Sequence, residues 1–466
     1  MIFFKFFLIY IFSFYSTSVF LSGLLGKFNS ITLERIIISS LVLSQILLSW
    51  YLEKIMYLFN DLEDKFYVYI ILLIFTLQLF IFKRYTGIVF NYILYYLNKN
   101  YIVIFYALIV FLISFIISIN LPIISNDPLE YINVAQNIYK YKTFSIYPLI
   151  DTSLMDGYFP WTHPSSFVSI ISWSFILQEN SSSFLLLKLF NPIFMTATFL
   201  LFTSLFDKNI YFSLFAGFLA LFISPIYMLL IFDFHIDPMR IFSFFIVFLF
   251  LYKIDNIRKS IFIGILFGFA MHSHSIGILS LAIFIGIILY SFFIKEKISL
   301  KSILIVFFTT FIFVGFRYYI NYDTFGYIVG DNTALWEVKE FYYNEYLEYS
   351  RNLFTFENKI FHGILKGFVN FDSFGFLYWL FICFMCLYIY KKLILKKFNK
   401  KMALNDKILE HSYLVVFYWY LGSSFLMILG SNILIKNDRY LLTINFFVIY
   451  ILLKYIEIFL FRDKDE

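Results

Sequence analysis

Apolar residues run in long blocks along this chain, separated by short polar clusters. A membrane-crossing helix needs about 20 predominantly apolar residues. Blocks that read as spans are Ile2–Leu25, Ile36–Tyr51, Phe66–Phe82, Tyr101–Leu121, Phe184–Phe206, Ile210–Phe232, Ile241–Tyr252, Ile303–Ile320, Phe374–Leu393, Tyr413–Gly430 and Leu441–Leu460. The block Ile261–Ile294 is too long for one span and divides best near His272–His274. Phe167–Leu177 is short, and reads as a tilted span or a re-entrant piece. Together these blocks predict an all-α polytopic membrane protein with about 12–14 membrane helices. Met1–Phe20 carries one lysine and no small-residue cleavage site, so it reads as a retained helix rather than a signal peptide.

The polar clusters add a direction. Lys and Arg in short loops mark the cytoplasmic side. Such loops are Lys253–Lys259, Lys295–Lys301 and Lys391–Lys407, with the tail from Lys454. Alternation then places Asn321–Asn370, Ser431–Arg439, the Asp233–Asp237 loop and the His272–His274 turn outside. Lys83, Arg84 and Lys99 flank an interfacial helix, Val89–Leu97, on the inside, so the span Tyr101–Leu121 delivers Pro122–Pro164 to the outside. Between Phe167 and Asp233 the alternation does not close, and one helix there must be re-entrant or split, with Pro225 as a break point. The chain divides into a helical extension (1–100), a main membrane unit (101–460) with external loops 122–164 and 321–370, and a cytoplasmic tail (461–466).

Composition agrees with the pattern. Of 466 residues 61% are hydrophobic and 14% charged, against about 25% charged in soluble domains. That is too little charge to cover the surface of soluble domains of this length. Aromatic residues reach 24%, with 67 Phe and 38 Tyr, a bias that AT-rich codons produce and that carries little functional weight. Cys383 and Cys386 lie three apart in an apolar run and read as small packing residues, since neither a disulfide framework nor a zinc site follows from two cysteines. No nucleic-acid partner is expected; the partners implied by this composition are membrane lipids.

Candidate chemistry gathers at the external edge. Asn126-Asp127-Pro128-Leu129-Glu130-Tyr131 carries a helix-start signature: Asp as cap, Pro at the first position, Glu three residues after the Asp. The helix Pro128–Tyr141 presents Leu129, Ile132, Ala135 and Ile138 at helical spacing and is predicted to lie on the membrane surface. Asp127 reads either as a plain cap or as a carboxylate fixed where a hydroxyl can be deprotonated. Asp233-x-His235-x-Asp237-Pro238, with Arg240 one turn on, is the densest ionisable cluster. Ionisable groups at a membrane edge are costly and usually functional. The cluster offers ligands to a divalent cation, although a second phosphate- or acceptor-facing site fits it better and no metal ligands are assigned. His272 and His274 interrupt an apolar helix, either as satisfied buried side chains or as a pair lining the external cavity. In the second external loop Trp336, Glu337, Glu340, Tyr342, Tyr343, Glu345, Tyr346, Glu348 and Arg351 read as an amphipathic covering helix, with contact to a glycan as a secondary role.

Taken in order, these motifs resemble the GT-C glycosyltransferases, and within them the branch of protein O-mannosyltransferases and the lipid A aminoarabinose transferase. Asp127-x3-Tyr131-x3-Ala135 looks like the opening motif of that superfamily. Trp161-Thr162-His163-Pro164-Ser165 resembles its His-Pro-Pro element without the second Pro. Lys188-x2-Asn191 resembles a basic-then-Asn signature, with Lys where Arg is usual. His272–His274 followed by Gly277 resembles the middle helix pair, and Arg439-Tyr440-Leu441-Leu442 resembles Arg-Tyr-Leu-Leu-Pro without the Pro. The resemblance implies a GT-C type fold and transfer of a sugar from a polyprenyl-phosphate donor on the external face, with inversion. The acceptor is a lipid, a glycan or a protein. Asp127 matches the general base, and Glu130 would orient an acceptor or a cation. A phosphate leaving group needs cationic or donor groups, and His163, His235, Arg240, Arg317 and Arg439 are the candidates, with Asp237 and His274 lining the substrate cavity. Arg317 and Arg439 read equally as snorkelling helix-end residues. Alternatives are a polysaccharide polymerase or lipid-linked glycan flippase, and a secondary transporter using His and Asp as a proton relay.

Overall fold

A computed structural model of the chain describes residues 2–123, 126–144, 165–206, 209–222, 224–251, 254, 256–293, 299–325, 407–428 and 442–461. Every regular element among them is helical. In chain order they are α1 (Ile2–Leu25), α2 (Ser30–Leu58), α3 (Asp64–Ile81), α4 (Lys83–Lys99), α5 (Tyr101–Asn120), α6 (Asn126–Tyr141), α7 (Ser166–Gln178), α8 (Phe190–Leu205), α9 (Ile210–Phe222), α10 (Pro225–Phe232), α11 (Asp237–Phe250), α12 (Ile257–Ser273), α13 (Ile278–Phe293), α14 (Leu300–Phe325), α15 (Lys407–Ile428) and α16 (Asn445–Leu460). Among the described residues six helical stretches are long and apolar enough to cross a membrane: Ile2–Leu25, Ser30–Leu58, Asp64–Ile81, Tyr101–Asn120, Leu187–Leu205 and Leu300–Asp323. The chain is therefore a multi-pass, all-α protein by length and composition of its helices. Of the other predicted spans, Phe374–Leu393 lies outside the described residues, and blocks such as Ile210–Phe232 and Ile241–Tyr252 form shorter helices.

Two of those short helices lie in the stretch where the alternation does not close. All of α7 is buried, and its 13 residues span only about 20 Å at 1.5 Å per residue, against ~30 Å of hydrocarbon. It is buried on every side and too short to cross the hydrocarbon by itself. The block Ile210–Phe232 breaks before Pro225, where the Ser224 hydroxyl accepts from Tyr227 N (3.2 Å) and restarts the chain as α10. Proline at the first helical position has no amide to leave unsatisfied. The long block after residue 257 divides where expected, between Ser273 and Ile278.

Local chemistry sets the other boundaries. Gly26 ends α1 at φ +79°, its N–H bonded to Ser22 O at 3.0 Å; a side chain there would be strained. Asn29 caps α2 by accepting from Thr32 N at 2.9 Å. The predicted interfacial helix is α4, with basic residues at both ends and only Val89 buried. It is held by Tyr15 Oη–Thr86 O (2.9 Å) and Tyr92 Oη–Glu34 Oε2 (3.0 Å).

Packing joins the first helices to the rest. Helix α2 packs against α1, α7, α8, α11 and α12, and one continuous apolar core runs from Phe6 through Leu48, Ile170 and Phe245 to Leu453. The boundary drawn at residue 100 thus falls inside a shared core; apolar helices read alike in sequence whether they face lipid or protein. Helix α6 does not lie on a surface by its apolar stripe as predicted: Tyr131, Ile132, Val134, Ala135 and Ile138 are buried, largely against α7, and Leu129 is exposed.

Helices α2, α12 and α14 run parallel and in register. Trp50 stacks on Phe313 (4.7 Å) and donates to its carbonyl (2.7 Å), while Tyr318 Oη bonds Met271 O (3.3 Å). Gly264 and Gly268, four residues apart, let α12 and α14 touch: a Cβ on Gly264 would sit 2.7 Å from Thr309 Cβ and 2.8 Å from Val306 O. Small residues at this spacing allow close helix approach in membranes. Gly264→Val is expected to destabilise the protein by about 1–3 kcal/mol, read as a lower unfolding temperature in detergent; unchanged unfolding would mean that the contact is not required.

Candidate functional site

Helix α10 ends at Phe232 and the chain turns sharply into α11. Phe234 takes φ +61°, a left-handed conformation that costs a non-glycine residue about 1–2 kcal/mol. Its ring offsets this by packing between Phe167 (4.9 Å) and Phe190 (6.4 Å). The turn brings the ionisable residues together without an extended loop. His235 Nε2 lies 3.4 Å from Asp233 Oδ2, and His235 Nδ1 lies 3.8 Å from Asp237 Oδ2. Asp237 stands in the first turn of α11, where its negative charge suits the helix dipole. It pairs with Arg240 Nη2 at 2.7 Å, both side chains 1% exposed. Arg240 is therefore a buried ion-pair member rather than a surface cation. Among the described residues no group of three His, Cys, Asp or Glu side chains is arranged to hold a metal ion.

A second buried cluster joins α2, α12 and α14. Arg317 Nε and Nη2 both reach Glu53 Oε1, each at 3.0 Å. Lys54 Nζ stands 3.9 Å from Glu53 Oε2 and 4.1 Å from the centre of the Phe316 ring. His272, in the last turn of α12, meets Phe313 edge-on at 6.1 Å and lies within the electrostatic reach of Glu53, Lys54 and Arg317. Arg317 is thus not a snorkelling residue; the carboxylate that faces it comes from the helix thought to belong to an extension. Glu53 and Lys54 lie beyond the predicted apolar block Ile36–Tyr51 and are not among the predicted site residues. The usable signal was helical periodicity continuing past them to Leu58.

Hydroxyl contacts tie the two clusters to one region. Ser166, heading α7, bonds Ser49 Oγ (3.0 Å) on α2 and approaches Met239 Sδ (3.8 Å) on α11. Ser243, one turn after Arg240, bonds Ser273 Oγ (2.8 Å) beside His272 and His274. His274 ends α12, its Nδ1 accepting from Ile276 N at 3.1 Å. The need for Gly277 is steric: a Cβ there would be 2.2 Å from Ala270 O.

The start of α6 belongs to the same region. Tyr131 packs edge-on against Phe167 at 5.2 Å, and Phe167 carries the ring of Phe234. Asp127 is the second residue of α6, one turn before Tyr131, so the helix begins two residues earlier than a capping Asp would require. Glu130 is half-buried on the next turn. On the far face of α6 a depression of about 390 Å³ is lined by Asn133, Gln136, Asn137, Tyr139, Lys140 and Ser181. Tyr139 Oη donates to Asp64 Oδ2 (3.0 Å), and Asp64 also pairs with Lys142. Burial, and then the Asp64 charge, push the Tyr139 phenol up, so it stays a donor.

Of the predicted site residues, His235, Asp237 and Arg240 form one cluster, while Arg317 forms the other with Glu53. His274 serves its own turn. His163 and Arg439 lie outside the described residues, as do 145–164, 326–370, and Cys383 and Cys386. Comparison with protein-family models, with curated proteins and with solved structures finds no match to this chain.

Proposed function

We propose that this chain is a membrane glycosyltransferase of GT-C type. It moves a sugar from a polyprenyl-phosphate donor to an acceptor hydroxyl on the external face, with inversion and with Asp127 as general base. One observation carries the reading. The buried ionisable side chains gather where α2, α10–α12 and α14 meet the head of α7, adjoining the first turns of α6 through Tyr131, Phe167 and Phe234. Charges buried together, adjoining the helix that carries the candidate base, suit chemistry on a phosphate ester, where fixed dipoles and cations act in a water-poor site. The amide-lined depression on α6 adds donors and acceptors of the kind that hold a sugar or glycan acceptor. A flippase or transporter would instead place such groups along a path through the membrane.

The test is transfer by the purified protein, supplied with polyprenyl-phosphate sugars and lipid, glycan or peptide acceptors. Transfer or donor hydrolysis is expected with at least one donor; silence with every donor, alongside substrate flux in proteoliposomes, would overturn the reading in favour of transport. Sidedness has its own check. The basic loops put the C-terminus in the cytoplasm, so a C-terminal green-fluorescent fusion should fluoresce and a C-terminal phosphatase fusion should be inactive. The opposite pair of results would turn the site toward the cytoplasm and remove the external-face assignment.

A further inference from the structure

Basic side chains from three elements meet where the first two helices turn back on each other. Lys27 follows Gly26 in the turn between α1 and α2, Lys83 and Arg84 open α4, and Arg258 stands in the first turn of α12; all of them are exposed. Contacts around Gly26 bring them together. Phe82, next to Lys83, meets Phe20 of α1 edge-on at 5.6 Å. Tyr85 Oη donates to Gly26 O at 3.3 Å, and the Tyr85 ring lies 6.2 Å from that of Phe28. Arg258 lies beside the same glycine, its Nη1 3.7 Å from where a Cβ would stand.

Among the described residues no carboxylate balances these charges. Helices α1, α4 and α12 contain no Asp or Glu. Glu34, on the second turn of α2, accepts instead from Tyr92, further along α4. Lys27, Lys83, Arg84 and Arg258 have no ion-pair partner among the described residues. The helix dipoles add to the excess, because Lys83, Arg84 and Arg258 stand at helix starts, where acidic residues are favoured.

The position of the patch names its partner. Helices α1 and α2 are both long and apolar enough to cross a membrane, and a turn that joins two crossing helices falls at a bilayer surface. Exposed Ile81, Ile88 and Ile257 flank the cations along the chain, and half-buried Tyr85 suits the headgroup level. Lys83, Arg84 and the Lys253–Lys259 loop are all expected on the cytoplasmic side, where the leaflet is anionic. A nucleic acid or an acidic protein would match the charge but leave the apolar flank without a partner.

We propose that Lys27, Lys83, Arg84 and Arg258 form a docking surface for anionic phospholipid headgroups, gathered around Gly26 at one edge of the bilayer. The surface does not depend on the proposed sugar transfer.

The experiment titrates the purified full chain in detergent with phosphatidylglycerol, with phosphatidylcholine of the same chain length, with soluble glycerol phosphate and with a short single-stranded DNA. Phosphatidylglycerol should bind at least about tenfold more tightly than phosphatidylcholine, and the preference should shrink as salt rises. Each cation replaced by Gln should cost about fivefold in that preference. The combination of Lys27→Gln, Lys83→Gln, Arg84→Gln and Arg258→Gln should abolish it in a protein that still elutes with the parent. Lys27→Arg with Lys83→Arg should keep it, as should Lys65→Gln, which lies at the other end of α3 and removes a side chain paired with Glu63. Equal binding of the two lipids, or an undiminished preference in the folded quadruple variant, overturns the docking surface. Glycerol phosphate or DNA binding as tightly as phosphatidylglycerol overturns it too, in favour of a soluble partner.

Discussion

Asp127→Asn is expected to lower sugar transfer by about two to four orders of magnitude, the usual contribution of a positioned general base. Asparagine keeps the size of the side chain and suits a helix start as well as aspartate does, so α6 should still form from residue 126 and pack on α7 through Tyr131, Ile132 and Ala135. The variant then loses only the capacity to take a proton. Single-turnover transfer by wild type and variant, with folding checked by size-exclusion, separates chemistry from stability. Glu130→Gln is the companion, since Glu130 lies one turn further along the same helix and should change the rate less. Full activity in Asp127→Asn would remove the base assignment while leaving the class of reaction open to test.

Glu53→Leu should be the most destabilising single change at the centre of the bundle. It leaves Arg317, 1% exposed, and Lys54 facing each other without their carboxylate. Breaking a buried ion pair from one side typically costs about 3–5 kcal/mol, because the remaining charge is stranded in low dielectric. Replacing both partners by apolar residues is often neutral, so Glu53→Leu combined with Arg317→Leu should recover most of the loss. Thermal unfolding of the parent, the single variants and the double variant in one detergent supplies the cycle. A Glu53→Leu protein that unfolds with the parent would mean that the pair holds nothing together.

Much of the scaffold was legible because its causes are local. Pro225, read as a break point, restarts the chain as α10, whereas α2 begins at Ser30 behind its Asn29 cap, ahead of the predicted block Ile36–Tyr51. A helix between Lys83 and Lys99 and the break after Ser273 were equally readable. The role of α7 was not, since a 13-residue apolar run looks the same whether it is a short span or a helix buried on every side. The site was legible only in part. Asp233, His235, Asp237 and Arg240 are neighbours in sequence, so their meeting followed from one turn. Glu53 and Arg317 are 264 residues apart, and nothing near either one names the other.

From the sequence alone follow the helices, their approximate ends and the apolar composition that suits a membrane, because hydrogen bonding within a helix and the length of an apolar run depend on neighbouring residues. Tertiary packing alone decided which buried charges neutralise one another. The parallel register of α2, α12 and α14, permitted by the close approach at Gly264 and Gly268, brings Glu53, His272 and Arg317 to one level. A shift of one helical turn between those helices would move each charge about 5 Å from its partner, and the cost of stranding it there is what holds the register.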